Sequence, residues 1–163
     1  MFNYNDEYFD NQEARCIKRL RDFNDSLRWF DTITPNALYS HIDATAIDRK
    51  GRKTHIEMKE RRGTIEKYIE YGDLLIEAGK LEAFSNIAES GHALNEQRLY
   101  INFVDDGVIV FNIDKLSNLA FYPNHKHRNL GRKKDECEDR FGLSIKEALL
   151  YKKEGGTYKR FET

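Results

Sequence analysis

Three side chains in the first half of the sequence, those of Asp43, Glu57 and Lys59, could together bind a metal ion and act on a phosphate. Mg²⁺ is bound in proteins through one or two carboxylates, and its remaining positions are left to water and phosphate oxygens. A lysine beside such a pair adds a positive charge and three N–H donors. This chemistry requires that the two segments carrying these residues lie side by side.

The residues around the two carboxylates alternate between polar and apolar types, as β-strands do. In residues 41–47, Asp43 lies on the face opposite the small and apolar side chains. In residues 53–59, Glu57 and Lys59 share one face. Two neighbouring strands with these faces would bring the acids and the lysine to the same side of a sheet.

The connection between the two runs predicts their register. Gly51 suits the left-handed position of a three-residue hairpin loop, which glycine occupies without strain. Such a loop pairs Asp48 with Arg52 and places Asp43 directly opposite Glu57. Opposed side chains have β-carbons roughly 4.5 to 5.5 Å apart, and like charges there repel. We therefore expect a cation between these two carboxylates.

Two alternatives stay open at this point. Charged residues make up 34% of the chain, and a Glu-x-Lys triplet on a solvated strand is common in such a sequence. A two-residue loop at Lys50 and Gly51 would also shift the register. Under either alternative the protein is an ordinary α+β domain in which Asp43 and Glu57 do not meet.

Composition indicates a single soluble domain that covers residues 1–163. The 163 residues include 39% hydrophobic residues, with ten Phe and nine Tyr, which is enough for a core. Cys16 and Cys137 lack the spacing of zinc ligands or of a disulfide framework. We find neither a basic and apolar leader nor a membrane-spanning segment, so no membrane partner and a cytoplasmic location are expected.

Basic residues are concentrated in two segments although the net charge is only −1. Residues 49–62 contain seven Lys or Arg and two Glu, and residues 124–134 contain five Lys or Arg and no acid. Such clusters suit a phosphate backbone, and solvated loops are the competing interpretation. The candidate nucleic-acid contacts in these segments are Arg61, Arg62, Lys126, Arg128, Arg132, Lys133 and Lys134.

Periodicity predicts the first elements of the fold. Apolar residues three and four positions apart predict a helix over about residues 10–30, opened by a capping box of Asp10 and Glu13. Residues 31–40 contain Pro35 and are interpreted as a break before the hairpin. Residues 72–79 read as a buried central strand, followed by a helix over residues 80–90.

The second half predicts a hairpin and a final helix. Residues 98–104 and 108–113 are strand-like runs around Asp105, Asp106 and Gly107, which is a strong hairpin signal. Ser144 would open a short helix that ends at Gly155, with a mobile tail from residue 157. The expected order is αβββαββ, with a core over about residues 10–113, followed by a basic loop and a C-terminal helix over residues 114–163.

The motifs resemble those of the PD-(D/E)XK nuclease superfamily. Ile42-Asp43 matches the family's aspartate, with Ile42 where a proline usually stands, and Glu57-Met58-Lys59 matches the (D/E)-x-K triplet. The resemblance covers about residues 10–113. It implies a three-layer α+β fold of the restriction-endonuclease or resolvase type, with a central mixed sheet between helices.

The same resemblance implies roles for individual residues. Asp43 and Glu57, with the carbonyl of Met58, would hold one or two Mg²⁺ ions, for which Mn²⁺ would substitute. Lys59 would orient the attacking water or offset charge on the phosphate. Some family members supply another carboxylate from the first helix, and Glu13 is the candidate here. Its role in a capping box is the competing interpretation. Lys80 begins the helix after the third strand, where related enzymes often place a basic residue, and is a further candidate nucleic-acid contact near the site.

The implied function is metal-dependent hydrolysis of DNA phosphodiester bonds, endonucleolytic and of the resolvase, repair or mobile-element type. RNA stays open as a substrate. A homodimer is expected from the resemblance alone, for cutting both strands. The alternative function is a non-catalytic module that keeps the fold and binds nucleic acid or protein.

Overall fold

A long first helix and a seven-stranded sheet form the frame of the protein. A computed structural model describes the backbone of residues 4–37, 40–87, 96–117, 119–127 and 136–163, and the side chains of residues 11–37, 40–87, 96–117, 119–123 and 139–163. The helices are α1 (Tyr4–Leu27), α2 (Ile65–Tyr71) and α3 (Ala78–Ile87). The strands are β1 (Phe30–Pro35), β2 (Ala44–Asp48), β3 (Lys53–Glu60), β4 (Asp73–Glu77), β5 (Gln97–Val104), β6 (Gly107–Asn112), β7 (Leu119–His127), β8 (Glu136–Ser144), β9 (Leu149–Glu154) and β10 (Thr157–Phe161).

The strands form two sheets. The larger sheet has the order β1-β2-β3-β5-β6-β9-β10, and the smaller has the order β4-β8-β7. β3 and β5 are parallel, whereas the other neighbouring strands of both sheets are antiparallel. β3 therefore lies inside the larger sheet, with a neighbour on each side, and residues from His55 to Met58 are buried on both of its faces.

Two hydrophobic clusters cover the two faces of the larger sheet. On one face, Leu20 and Phe23 of α1 are completely buried against strand residues such as Ile56. On the other face, Phe84 of α3 and Leu74 of β4 pack in the second cluster. The layers are therefore α1, the larger sheet, and a third layer made of α2, α3 and the smaller sheet. The expected three-layer α+β class with a mixed sheet is confirmed.

The first helix is longer than its sequence signals predicted. It begins at Tyr4 and continues through Asp10, so the expected capping box of Asp10 and Glu13 is wrong. The apolar stripe is correct up to Leu27, but Phe30 begins a strand and is buried there. Burial of the stripe fixes the face of the helix and says little about where its polar N-terminal turns begin.

Two strands differ from their predicted positions. Residues 30–35, interpreted as part of a break, form β1 at the edge of the larger sheet, and Pro35 is its last residue. A proline is tolerated there because an edge strand has N–H groups without a partner. β4 is not a central strand, since it lies at the edge of the smaller sheet.

The predicted C-terminal helix does not form. Residues 145–147 form one short 3₁₀ turn, and Ser144 makes no side-chain capping hydrogen bond. The chain then forms the hairpin β9–β10, in which Gly155 and Gly156 have φ of 58° and 86°. The segment expected to be mobile is the last strand of the larger sheet, where Tyr158 is 6% exposed.

Among the described residues, no helix has the length and apolar character needed to cross a membrane.

Candidate functional site

The predicted hairpin register is confirmed between β2 and β3. Thr45 pairs with His55, as it must if Asp43 is to face Glu57. The loop closes through a hydrogen bond from the Gly51 amide to the Asp48 carbonyl at 2.9 Å. Gly51 has the positive φ of 78° that the three-residue loop requires. The alternative loop, which would have shifted the strands by one residue, is therefore excluded.

Asp43 lies at a bend just before β2, with its side chain held against β3. Its Oδ2 accepts a hydrogen bond of 2.8 Å from the amide N–H of Met58. Burial raises the pKa of Asp43, and the hydrogen bond from Met58 acts in the opposite direction. This hydrogen bond fixes the Asp43 carboxylate beside Glu57, the residue before Met58.

Glu57 is an acid in an environment that disfavours its charge. The side chain is 5% exposed, and burial together with the negative charge of Asp43 raises its pKa to about 8. Lys80, from the first turn of α3, compensates in part through an ion pair of 2.8 Å with Glu57 Oε1. The second oxygen, Glu57 Oε2, is buried, and no described residue donates a hydrogen bond to it.

The two carboxyl groups need a positive charge between them. With both ionised, neither can donate to the other, so Glu57 Oε2 stays without a partner. One shared proton or one cation would satisfy this oxygen. Among the described side chains, no three of the His, Cys, Asp and Glu type lie close enough to hold a metal by themselves. Mg²⁺ fits nevertheless, because it needs only one or two carboxylates.

Lys59 points into the same site and is held by an acid that the sequence motifs did not include. Its Nζ donates to Glu77 Oε1 of β4 at 3.3 Å. Burial acts to raise the pKa of Glu77, but the positive charges of Lys59 and of Arg140 outweigh it and the pKa is lowered. Arg140 belongs to β8, and its Nη2 lies 3.8 Å from the same Glu77 oxygen.

Sequence reasoning missed Glu77 and Arg140. Neither belongs to a motif, and each comes from a strand of the smaller sheet, which the sequence did not predict as a unit. Lys80, by contrast, was predicted as a basic residue near the site, and the structure places it in contact with Glu57.

Glu13 lies on the α1 side of the site. It lines a cleft of about 390 Å³ together with Asp43 and Met58, and Ala14, Ile17, Pro35 and Asn36 complete the lining. The capping box does not form, and Glu13 instead lies beside Asp43 in the wall of this cleft. The side chain is exposed, and the structure does not bring it into a three-ligand group with Asp43 and Glu57.

The other predicted contacts are dispersed. Arg61 faces inward, where its guanidinium donates to Asn102 Oδ1 at 3.1 Å and to the Tyr100 hydroxyl at 2.7 Å. Arg62 is exposed. Lys126 lies on β7, but its side chain is outside the described part of the chain, as are Arg128, Arg132, Lys133 and Lys134.

No protein-family model matches the chain, and no curated protein sequence matches it. Among solved structures, the fold is similar to that of Hjc, a Holliday junction resolvase from Archaeoglobus fulgidus. The TM-score is 0.48 and the sequence identity 13%, over 81% of this chain and 83% of the resolvase. At this level of similarity, the functional argument depends on the residues of this chain.

Proposed function

We propose that the protein is a nuclease that uses a divalent cation, Mg²⁺ or Mn²⁺, to hydrolyse phosphodiester bonds in DNA. The observation that carries this proposal is the pair of adjacent carboxylates of the half-buried Asp43 and the buried Glu57, each with a raised pKa. One Glu57 oxygen has no donor among the described residues. A purely structural protein gains nothing from this arrangement, because burying two like charges together costs stability.

Each residue has a role in this proposal. Asp43 and Glu57 hold the cation. The Met58 carbonyl joins them, because the C=O and N–H of one strand residue point to the same edge and the N–H of Met58 already meets Asp43. When bound, the cation polarises the scissile phosphate and lowers the pKa of a coordinated water. Lys59, kept in place by Glu77, orients the attacking water or offsets charge on the phosphate.

The substrate class is proposed from the resemblance of the Asp43 and Glu57-Met58-Lys59 motifs to those of PD-(D/E)XK nucleases. We therefore favour a resolvase-type or repair-type endonuclease over a sequence-specific restriction enzyme, acting as a dimer where both strands are cut.

The test is cleavage of plasmid, linear and four-way branched DNA, and of RNA, in Mg²⁺, in Mn²⁺ and in EDTA. Asp43→Asn and Glu57→Gln keep side-chain shape while removing the charge, and Lys59→Ala removes the ammonium. We expect cleavage only with the metal and a loss of about 100-fold or more in each variant. Glu154→Gln, in the exposed turn of the last hairpin, is the matched control and should cut normally.

Equal cleavage by the wild type and the three site variants would contradict the proposal. Binding of DNA without any cleavage, under every metal condition, would instead support the non-catalytic binding module.

A further inference from the structure

Arg140 is a buried cation in the middle strand of the smaller sheet. It lies on β8, directly opposite Glu77 of β4 in the ladder, and is only 6% exposed. Arginine carries a permanent charge and five N–H donors. A residue of this type is rarely buried without partners for those donors.

The partners of Arg140 are too few. Its Nη2 lies 3.8 Å from Glu77 Oε1, which is longer than a hydrogen bond. Its Nε is buried and has no hydrogen-bond partner among the residues that the structure describes. Glu77 Oε1 is also shared with Lys59, whose Nζ donates to it at 3.3 Å. Among the described residues, Arg140 therefore shares one carboxylate with Lys59 and has no hydrogen-bond acceptor for its Nε.

The space beside Arg140 is part of the candidate site. A small cavity of about 20 Å³ is lined by Glu57, Lys59, Arg61, Leu75, Glu77, Lys80, Tyr100 and Arg140. This volume exceeds the ~10 to 15 Å³ that one water oxygen needs. Glu77 and Lys80 also line a larger cleft of about 480 Å³, which gives an approach from outside.

We propose that Arg140 binds a non-bridging oxygen of the substrate phosphate, next to Lys59, an inference that rests on the proposed nuclease function. A guanidinium is suited to this task because its fork of N–H groups matches two oxygens of one phosphate. Glu77 then has two functions, since it positions Lys59 and holds Arg140 near the cavity until the phosphate arrives. The smaller sheet contributes a substrate contact, and not only a cover for the core.

Binding of inorganic phosphate to the metal-free protein tests this inference without requiring cleavage. In calorimetric titrations, Arg140→Gln should weaken phosphate binding by about 10- to 100-fold, because a charge-assisted hydrogen bond is lost. Arg160→Gln removes the same charge from the exposed edge strand β10 and should leave the affinity unchanged. Equal affinities of the wild type and Arg140→Gln, or no phosphate binding by the wild type, would overturn the proposal.

A second variant covers the case in which Arg140→Gln does not fold. Glu77→Gln removes a carboxylate that competes with phosphate for Arg140. The same carboxylate also repels the phosphate. We expect tighter phosphate binding in Glu77→Gln, by several-fold, and loss of that gain in the double variant with Arg140→Lys, whose shorter and single-headed cation cannot reproduce the fork. An unchanged affinity in Glu77→Gln would contradict the assignment.

The two proposals can fail separately. If the wild type cleaves DNA but Arg140→Gln binds phosphate and cuts as well as it does, the nuclease function stands and the role of Arg140 is wrong. If phosphate binds through Arg140 but no metal supports cleavage, the nuclease function is wrong and the anion site remains.

Discussion

Glu57 is an acid whose burial costs the folded protein stability when the carboxyl is charged. Its carboxyl is buried beside Asp43, and the Lys80 ammonium compensates for only part of the resulting penalty. Without a cation, the folded protein favours the protonated form of Glu57. The unfolded chain has no such preference, because its Glu57 is solvated.

This difference predicts that the metal-free protein loses stability as the pH rises. Below pH 4.5, the ordinary pKa, Glu57 is protonated in both states; from there to about 8 the folded state retains a proton that the unfolded state has released. The free energy of unfolding therefore decreases across this window, on the order of 1.4 kcal/mol for each unit of pKa difference. Urea titrations in EDTA at pH 5.5 and pH 8 measure the decrease.

Glu57→Gln should flatten this profile and be more stable than the wild type at pH 8, whereas Glu154→Gln should follow the wild type. Saturating Mg²⁺ should also raise the free energy of unfolding of the wild type at pH 8. If the stability of Glu57→Gln and of the wild type changed with pH in the same way in EDTA, the pKa of Glu57 would not be raised in the folded protein.

The site residues that could be predicted are those that the local pattern connects. Alternation along β2 and β3 brought Asp43, Glu57 and Lys59 to one place. Glu77 and Arg140 could not be predicted, because their contacts with Lys59 depend on how the smaller sheet packs on the larger one. No local sequence pattern encodes that packing.

Among the helices and strands, the β2–β3 hairpin depends on one backbone conformation. Gly51 has a φ of 78°, and no atom lies within 4 Å of the position where a β-carbon would be. The requirement at this residue is therefore conformational and not steric crowding. The loop in turn fixes which residues of the two strands face each other.

Gly51→Ala should lower the free energy of unfolding by about 1 kcal/mol, because an L-residue is strained in the left-handed region. Lys50→Ala changes the neighbouring exposed position, which has no positive φ, and should have an effect near zero. Thermal melts of the two variants measure the difference. Equal stability of both would mean that the loop relaxes to another turn.

The elements that sequence reasoning missed carry signals with two meanings. Pro35 was interpreted as a break, yet a proline also fits the end of an edge strand such as β1. Gly155 and Gly156 were interpreted as a helix stop, yet two residues with positive φ also form the tight turn of a hairpin. Only the packing of the neighbouring strands decides between the two meanings.

The complete fold depends on its C-terminal hairpin. Tyr158 of β10 packs edge-to-face on Phe23 of α1 at 5.3 Å, and its amide donates to Ser26 at 3.2 Å. Tyr151 of β9 contacts the same Phe23 ring at 5.2 Å. The last residues of the chain thus close the core that begins with the first helix.

Truncation after Gly156 should lower the melting temperature strongly, since it removes β10 and exposes Phe23. We expect a loss of about 3 kcal/mol or more, as for other large aromatic deletions. Removal of only Glu162 and Thr163, which lie outside the strand, is the control and should be neutral. A neutral effect of the longer truncation would indicate a dispensable tail.

The fold class was predictable from the sequence, whereas the division into two sheets was not. Burial patterns report that a strand is covered, as for β4, but not which strand lies beside it. Partners far apart in the chain, such as β4 and β8, leave no periodic trace in either segment.

The parallel pairing of β3 with β5 has a consequence for how the protein folds. Parallel strands need a crossover connection, and the one between β3 and β5 includes β4 and α3, which carry Glu77 and Lys80. The β2–β3 hairpin is local and can form early, whereas closing so long a connection is slow. The β2–β3 hairpin therefore brings Asp43 and Glu57 together before Lys80, which pairs with Glu57, is in place. Acidic conditions or a divalent cation would ease this step, so the order of charges along the chain influences the rate of folding.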